Sequence, residues 1–299
     1  MKRKITLLKT LLISAGMITI TPFAHAESWY LNATGSATEG AYSGSALRDR
    51  LSEQGIRLSA DYLEQGGITT AYSHTRISMK NGVQATEQNN LLLSGRLNFR
   101  PDALPGRFTV RLDGHRITNN DATRNTNDVS VIAPQLSWLS KSETLYADLG
   151  YADSRYQNQL SVRQYTPTLG IGLNGGSDWV QLRGYLISGM NPTRAAGKSS
   201  TSAIDTKWTH YFAPRSALIP TSATLGVTAG ERIYAVDMDA QSVANLADLD
   251  KGGASLGLGW NVNKHTKVFA LVGQTKFRNE ALGNDYRLNV GHASLSIDW

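Results

Sequence analysis

Apolar and polar residues alternate along most of this chain with a period of two. Phe108, Val110 and Leu112, for example, are separated by charged or polar residues. The same alternation recurs in three other stretches, at 91–99, 145–151 and 254–262. Successive side chains of a β-strand point to opposite faces, so the pattern predicts a series of strands with one apolar face each. Convincing helical spacing is almost absent.

Alternation alone fits both a soluble β-sandwich and a membrane β-barrel, and small residues help to separate the two. Gly253, Ser255, Gly257 and Gly259 occupy the polar face of one predicted strand. In a membrane barrel the apolar face meets lipid and the polar face meets the lumen, so small polar-face residues suit a crowded or curved lumen wall. This feature favours the barrel.

The lengths of the connectors between strands give a second criterion for distinguishing a membrane barrel from a soluble sandwich. Short connectors are predicted at 66–67, 101–106, 140–143, 174–177, 213–220 and 263–266. Longer, more polar connectors are predicted at 37–54, 81–88, 118–127, 154–159, 191–199, 237–251 and 279–284. Outer-membrane barrels have short periplasmic turns and longer outside loops, whereas a sandwich has no such rule. The breaks predict about fourteen strands, with twelve to sixteen compatible, and both termini in the periplasm.

Most tryptophans fall at strand ends that this assignment places on the periplasmic side. The amphipathic indole ring favours a membrane interface, so these residues are predicted to form a girdle there. The girdle residues are Trp29, Trp138, Trp208, Trp260 and Trp299. Trp179 shares the parity of Gln181 and Arg183 and is expected on the inner face instead.

The first 26 residues have the pattern of a cleavable secretory signal peptide. Four basic residues accompany an apolar stretch at 11–20, and the segment closes with Ala24-His25-Ala26. Cleavage after Ala26 leaves residues 27–299 as one predicted barrel domain. The formal net charge of +6 then falls to 6 − 4 = +2, which removes the main support for a nucleic-acid partner.

Composition excludes several other classes. The mean hydropathy of -0.29 is too low for a helical membrane bundle, because each helical span needs roughly 20 consecutive apolar residues. The 299 residues include no cysteine, which excludes disulfides, thiolate metal sites and a cysteine nucleophile. No metal or other cofactor is predicted.

The chain closes with an aromatic residue that follows apolar residues at alternate positions. These are Ala293, Leu295, Ile297 and Trp299. Together with the signal peptide and the strand pattern, this ending resembles Gram-negative outer-membrane β-barrels of the porin-like kind, with no subfamily indicated. The resemblance implies an all-β, transmembrane, antiparallel up-and-down β-barrel in the outer membrane, in contact with outer-membrane lipid and lipopolysaccharide. It also implies that the barrel assembly machinery recognises the strand ending at Trp299.

One part of the closing strand departs from this pattern. Tyr286, Leu288 and Val290 lie on the opposite parity from Leu295 and Trp299. A bulge or register slip near Gly291 is therefore expected.

The alternation of inward and outward positions along the predicted strands places a set of charged side chains in the lumen, and cations outnumber anions among them. Rings of arginine or lysine favour anions in a narrow pore. The alternative is that the arginines pair with aspartates on neighbouring strands and only rigidify the wall. The candidate solute-contact residues are Arg57, Arg76, Arg96, Arg111, Arg183, Lys207, Arg232, Asp113 and Asp148, with Tyr146 and Tyr185 as stacking surfaces for a sugar.

The acidic connector 237–251 has two interpretations. It folds into the lumen as a constriction, or it stays outside as a solvated loop, and its four aspartates favour the solvated loop. Their spacing does not match an EF-hand, so no calcium site is predicted.

An enzyme is the least favoured class. His292 and Ser294 share a strand face and resemble the His-x-Ser of outer-membrane lipid A deacylases, but those barrels are smaller and the supporting acid cannot be placed here. Ordinary polar residues are the preferred interpretation, and no catalytic site is predicted.

The sequence therefore predicts an outer-membrane channel for passive passage of hydrophilic solutes, with anions and saccharides as candidate classes. A non-enzymatic barrel of envelope biogenesis or polysaccharide export, with a periplasmic partner, is the alternative. A lipid-modifying enzyme is the third. Fourteen strands lie nearer to the water-filled barrels of sixteen or more strands than to the filled eight-stranded ones, but the sequence does not decide between an open and a plugged lumen. A monomer is favoured by analogy alone.

Overall fold

Within residues 28–213 and 216–299, which a computed structural model of the chain describes, fourteen antiparallel strands close into one barrel. The strands are β1 Trp29–Ser43, β2 Arg48–Tyr62, β3 Gly66–Met79, β4 Thr86–Phe99, β5 Arg107–Asn119, β6 Val129–Leu139, β7 Leu145–Arg155, β8 Ser161–Leu173, β9 Asp178–Ser188, β10 Ser200–Tyr211, β11 Ser222–Gly230, β14 Leu249–Asn261, β15 Thr266–Asn279 and β16 Asn284–Asp298, with the two-residue strands β12 Val236–Asp237 and β13 Ser242–Val243 in the loop between β11 and β14. Barrel neighbours follow chain order, and β1 pairs with β16 to close the ring. The predicted all-β barrel and its strand number are confirmed. The predicted signal peptide, residues 1–26, lies outside the described residues.

Short 3-10 turns are found at Asn174–Gly176, Pro192–Arg194 and Glu280–Leu282. Among the described residues, no helix has the length and apolar character needed to cross a membrane.

The two faces of each strand differ as the alternation predicts. On β4 the outward residues Leu91, Leu93 and Leu97 are 53, 63 and 69% exposed, whereas inward Ser94 is 5% exposed. Inward Asp113 of β5 lies opposite Ser94, and the Ser94 hydroxyl donates to its carboxylate at 2.6 Å. The wall is thus apolar outside and polar inside along this part of the barrel.

The connectors fall at two ends. The chain termini share one end, here called the terminus end, with connectors 63–65, 100–106, 140–144, 174–177, 212–221 and 262–265. The opposite end, here called the loop end, carries connectors 44–47, 80–85, 120–128, 156–160, 189–199, 231–248 and 280–283. The three longest loop-end connectors follow β5, β9 and β11. The others there are as short as those at the terminus end.

The predicted long connector at 37–54 is wrong. Residues 37–43 continue β1 and residues 48–54 continue β2, and Ala37 lies opposite Gln54 in a regular ladder. The outward positions here are small or polar, such as Ala41 and Ser52, so the alternation that marks other strands is missing. Interstrand backbone hydrogen bonds still form, because they do not depend on apolar side chains.

The predicted slip in the closing strand is also wrong. Both ladders of β16 continue in register through Gly291, which lies opposite Glu39 of β1 and Val272 of β15. The change of parity has another cause: near the loop end Tyr286 and Leu288 point into the barrel, where they are 4 and 9% exposed.

The five tryptophans of the predicted girdle lie at the terminus end and point outward. Trp138 donates from Nε1 to the Pro105 carbonyl at 3.0 Å, and the ring centroid of Trp29 lies 5.2 Å from that of Tyr62. Trp208 is 44% and Trp299 37% exposed, and Trp260 projects outward from β14. Their role at a membrane interface stays a prediction. Trp179 points inward, against Gly170 of β8.

Candidate functional site

Loop 231–248 enters the barrel instead of remaining outside. Ile233, Tyr234, Val236 and Met238 are each at most 2% exposed. They pack in one apolar cluster with inward-facing wall residues of β5 to β9, namely Ile117, Val129, Val131, Ala133, Ala152, Val162 and Ile187. The solvated-loop interpretation is therefore wrong, because these residues are buried inside the barrel. Burial of each such apolar side chain stabilises the docked loop by about 1.5–3 kcal/mol.

The loop tip carries a carboxylate that binds cations of the barrel wall. Asp239 accepts hydrogen bonds from Arg183 Nη2 at 2.6 Å, Lys207 Nζ at 3.0 Å and Gln181 Nε2 at 3.0 Å. Burial by itself would raise the pKa of this carboxyl, but the hydrogen bond and charge of Arg183, together with Lys207, lower the pKa of Asp239 to about 2. The tip is thus ionically bound to β9 and β10.

The same tip also reaches the opposite wall. Arg57 of β2 donates to Gln241 Oε1 at 2.7 Å and to the Ala240 carbonyl at 3.0 Å. Arg111 of β5 donates to the Met238 carbonyl at 2.6 Å. Strands β2 and β9 lie seven positions apart in the ring of fourteen described strands, so the loop spans the lumen from wall to wall.

Arg183 is the most enclosed of the inward cations. Its side chain is 2% exposed, and its Nε donates to Thr168 Oγ1 at 2.9 Å. Carboxylate oxygens of Asp148 and Asp237 each lie 3.7 Å from the guanidinium, in addition to Asp239. The carboxylates around Arg183 therefore come from both the wall and the loop.

Two further candidate cations face inward but are paired. Arg96 Nη2 lies 2.7 Å from Asp61 Oδ1 near the terminus end, and the two side chains are 47 and 29% exposed. Arg232 lies beside the loop end, where Nη2 is 2.5 Å from Asp250 Oδ2. Asp113, another candidate, accepts from Gln241 Nε2 at 3.1 Å and lies 3.2 Å from Arg111 Nε.

Two candidate residues do not contact the lumen. Arg76 lies opposite Ser52 on the outer face of β3, is 59% exposed and pairs with Glu87 at 2.5 Å. Tyr185 points inward but is 1% exposed, because the Arg232 guanidinium covers its ring at 4.9 Å. Tyr146 lies half-buried on the inner face of β7 and keeps its place as a stacking candidate.

The remaining wall is more open and carries many small polar side chains. Inward Phe269 and Leu271 of β15 are apolar and half-buried, and inward Leu92 of β4 is buried. The half-buried polar residues of β1 to β3 and of β14 to β16 that face inward include Thr34, Ser36, Ser59, Ser73, Ser255 and Ser294. His292 also faces inward, with Nδ1 2.9 Å from Thr38 Oγ1. Within 28–213 and 216–299, no cluster of three or more metal-binding side chains is found.

A second apolar cluster narrows this open side near the loop end. Tyr42, Ile77, Tyr286 and Leu288 are buried there and contact Leu246 of the loop. Between the two clusters, inward Thr228, Gly253 and Thr275 of β11, β14 and β15 remain half-exposed. These three inward positions are therefore not covered by either cluster.

Comparisons with known proteins concern the fold. No known family profile matches this chain, and no curated protein matches it in sequence. The TodX deltaS2S3 mutant, a monoaromatic hydrocarbon channel, is similar over 90% of each chain with a TM-score of 0.52 and 10% identity. The chain therefore shares a β-barrel fold with this channel. OccK7 (OpdD) of Pseudomonas aeruginosa is similar over 92% of this chain and 99% of its own, with a TM-score of 0.45 and 12% identity. Omp33, an outer membrane protein of Acinetobacter baumannii, is similar over 90 and 99%, with a TM-score of 0.44 and 7% identity.

The inward loop is the feature for which the sequence analysis favoured the wrong one of its two interpretations. The sequence contains a feature that indicates this docking: directly before the acidic residues of the loop, Ile233-Tyr234-Ala235-Val236 form an apolar run inside a connector. Four consecutive apolar residues in a long loop indicate burial against another surface. The inner face of β6 supplies that surface, because Val129, Val131 and Ala133 are apolar where a lumen wall would be polar.

Proposed function

We propose that this protein is a passive outer-membrane channel for small hydrophilic solutes, narrowed by loop 231–248. The proposal is supported by the small, half-buried hydroxyl side chains on the inner faces of β1 to β3 and of β14 to β16, beside the docked loop. A wall of small hydroxyl side chains lets water and polar solutes pass without specific chemistry. We assign the terminus end to the periplasm and the loop end to the outside, because outer-membrane barrels have short periplasmic turns and longer outside loops and the longest connector, 231–248, lies at the loop end.

The route follows the wall opposite the docked loop. On β11, β14 and β15 the inward residues Gly226, Ser255 and Gly273 are small and half-buried. The apolar cluster fills the lumen next to β5 to β9 instead. A narrow, off-centre passage follows, so the conductance is expected to be lower than that of an open barrel of the same strand number.

Charge selectivity is expected to be weak while the loop is docked. Arg57, Arg111, Arg183 and Lys207 all donate to loop atoms, and Arg183 and Lys207 share the Asp239 carboxylate. A preference for anions therefore emerges only when the loop leaves. For saccharides, Tyr146 is the remaining stacking candidate, because the ring of Tyr185 is covered.

Planar bilayer recordings and liposome swelling test the proposal. Purified, folded protein is expected to give small, uniform conductance steps, and proteoliposomes are expected to swell with small sugars but not with larger ones. Heat-dependent gel mobility confirms that the barrel is folded. Folded protein that is silent in both assays would contradict the channel and favour a structural or export role.

A further inference from the structure

Two inward carboxylates of the barrel wall have no cationic partner. Glu53 of β2 and Asp205 of β10 have no arginine, lysine or histidine nitrogen within 4.0 Å in the described parts of the chain. The other carboxylates on the inner faces of the described barrel strands each have an arginine or lysine within that distance. These are Asp61, Asp113, Asp148, Asp250 and Asp298. The wall thus carries two negative charges that it does not neutralise.

Asp205 lies beside the part of the lumen that neither apolar cluster covers. It is opposite Thr228 of β11, and the Thr228 hydroxyl donates to Asp205 Oδ1 at 2.7 Å. On its other side Asp205 is opposite Arg183 of β9, but that guanidinium binds Asp239 at 2.6 Å instead. The Asp205 side chain is half-buried, and its Oδ2 has no hydrogen-bond partner among the described residues. One carboxylate oxygen is therefore left for a passing solute.

Glu53 is held in the same way on a distant part of the wall. It is opposite Thr75 of β3, whose hydroxyl donates to Glu53 Oε2 at 2.7 Å, and opposite Thr38 of β1. Its Oε1 has no hydrogen-bond partner among the described residues. Strands β2 and β10 lie six positions apart in the ring of fourteen described strands. The two carboxylates therefore flank the open side of the lumen from nearly opposite walls.

The docked loop engages the inward cations that border the same space. Arg183 and Lys207 share the Asp239 carboxylate, at 2.6 and 3.0 Å. Arg57 donates to the side chain of Gln241 and to the backbone of the loop tip. A fixed carboxylate in a narrow passage raises the local concentration of cations and lowers that of anions. With the loop docked, the free charges of the passage are therefore mainly negative.

We infer that Asp205 and Glu53 give the docked channel a modest preference for cations, opposite in sign to the preference expected once the loop has left. The preference rests on the proposed channel function and names the charge of the solutes that the channel favours. Small ammonium ions fit these positions as well as potassium does, because a free carboxylate oxygen accepts charge-assisted hydrogen bonds from an ammonium group.

Reversal potentials of the full-length channel in asymmetric potassium chloride test this preference. Wild type should be more permeable to potassium than to chloride. A unit charge changes the concentration of an ion about 8 Å away in water roughly twofold, so Asp205→Asn and Glu53→Gln should each lower the potassium-to-chloride permeability ratio about twofold. The double variant should lower the ratio about fourfold. The charge-keeping Asp205→Glu should retain the wild-type ratio.

Glu39→Gln is the matched control. Glu39 is an exposed carboxylate on the outer face of β1, where the Ser52 hydroxyl donates to its Oε1 at 2.8 Å. Its substitution should leave the permeability ratio unchanged. Heat-dependent gel mobility shows that each variant is folded. A conducting wild type that prefers chloride overturns the cation preference alone, as does an equal fall in the control. Folded wild type that is silent overturns the channel and the preference together, so the two failures are distinguished.

Discussion

At the scale of single residues, Asp239 decides how the loop is held in the lumen. It is the shared acceptor for Arg183 and Lys207, and Arg183 is almost fully buried. A buried cation that loses its partner is strongly destabilising, so the wall and the loop tip depend on each other. Several carboxylates surround Arg183, but Asp239 is the one within hydrogen-bond distance.

Asp239→Asn is expected to weaken loop docking and to expose the two cations to the passage. The channel should then show more frequent high-conductance events and a reversal potential shifted toward anions in asymmetric potassium chloride. Asp153→Asn is the control, because Asp153 pairs with Arg155 on the outward face of β7. An unchanged reversal potential in Asp239→Asn would contradict the assigned role of this carboxylate.

Acid is expected to release the loop only at very low pH. Because Arg183 and Lys207 hold the pKa of Asp239 at about 2, below the ordinary value of about 3.9, its stabilisation is complete above pH 4. It is lost as the pH falls through 2. Conductance of the wild-type channel should therefore stay constant from pH 7 to pH 4 and rise between pH 4 and pH 2. The rise should be smaller in Asp239→Asn, which lacks the titrating carboxylate. An identical acid response in both proteins would be inconsistent with this carboxylate as the acid-sensitive contact.

At the scale of elements, an apolar loop segment docks on an apolar patch of wall. Val236 is 2% exposed, and Gln164 of β8 fixes its backbone by accepting from its N–H at 3.0 Å and donating to its carbonyl at 2.6 Å. A connector held by both apolar packing and paired hydrogen bonds behaves as part of the barrel interior rather than as a mobile loop.

Val236→Asp should free the loop, because a buried unpaired carboxylate costs about 3 kcal/mol or more. The expected result is rapid proteolytic cleavage within 231–248 while the barrel stays folded. Ala244→Asp is the control, since Ala244 lies exposed on the same loop. Equal resistance of wild type and Val236→Asp to protease would show that the apolar cluster does not hold the loop.

How far sequence predicts these elements depends on side-chain contrast. Strands with large outward residues, such as Leu91 and Leu93, are predictable because the alternation is strong. Strands β1 and β2 are partly missed because their outward residues near 37–54 are small or polar, so the face that meets lipid lacks the large apolar side chains seen on other strands. Parity placed most lumen residues correctly, but it does not show what lies across the lumen, so it could not find the contact of Arg183 with Asp239 or the cover over Tyr185.

At the scale of the whole molecule, the barrel interior divides into a filled and an open side. The three longest loop-end connectors lie over the filled side, and Arg194 joins two of them to the short connector 156–160 by donating to the Asn125 and Asn158 carbonyls. The open side has the shortest loop-end turns, at 44–47 and 280–283. Strand number and closure follow from the sequence pattern, whereas this asymmetry depends on contacts between segments far apart in the chain.

The most direct measurement of the central claim compares single-channel conductance with and without the loop. Replacing residues 233–247 by a short Gly/Ser turn should leave a closed barrel, because β11 pairs with β10 and β14, and β14 with β15, through residues outside the replaced segment. The loop-shortened barrel should show a several-fold larger conductance than wild type, with anion preference from the unmasked Arg57, Arg111, Arg183 and Lys207. A folded loop-shortened barrel with wild-type conductance and selectivity would contradict it.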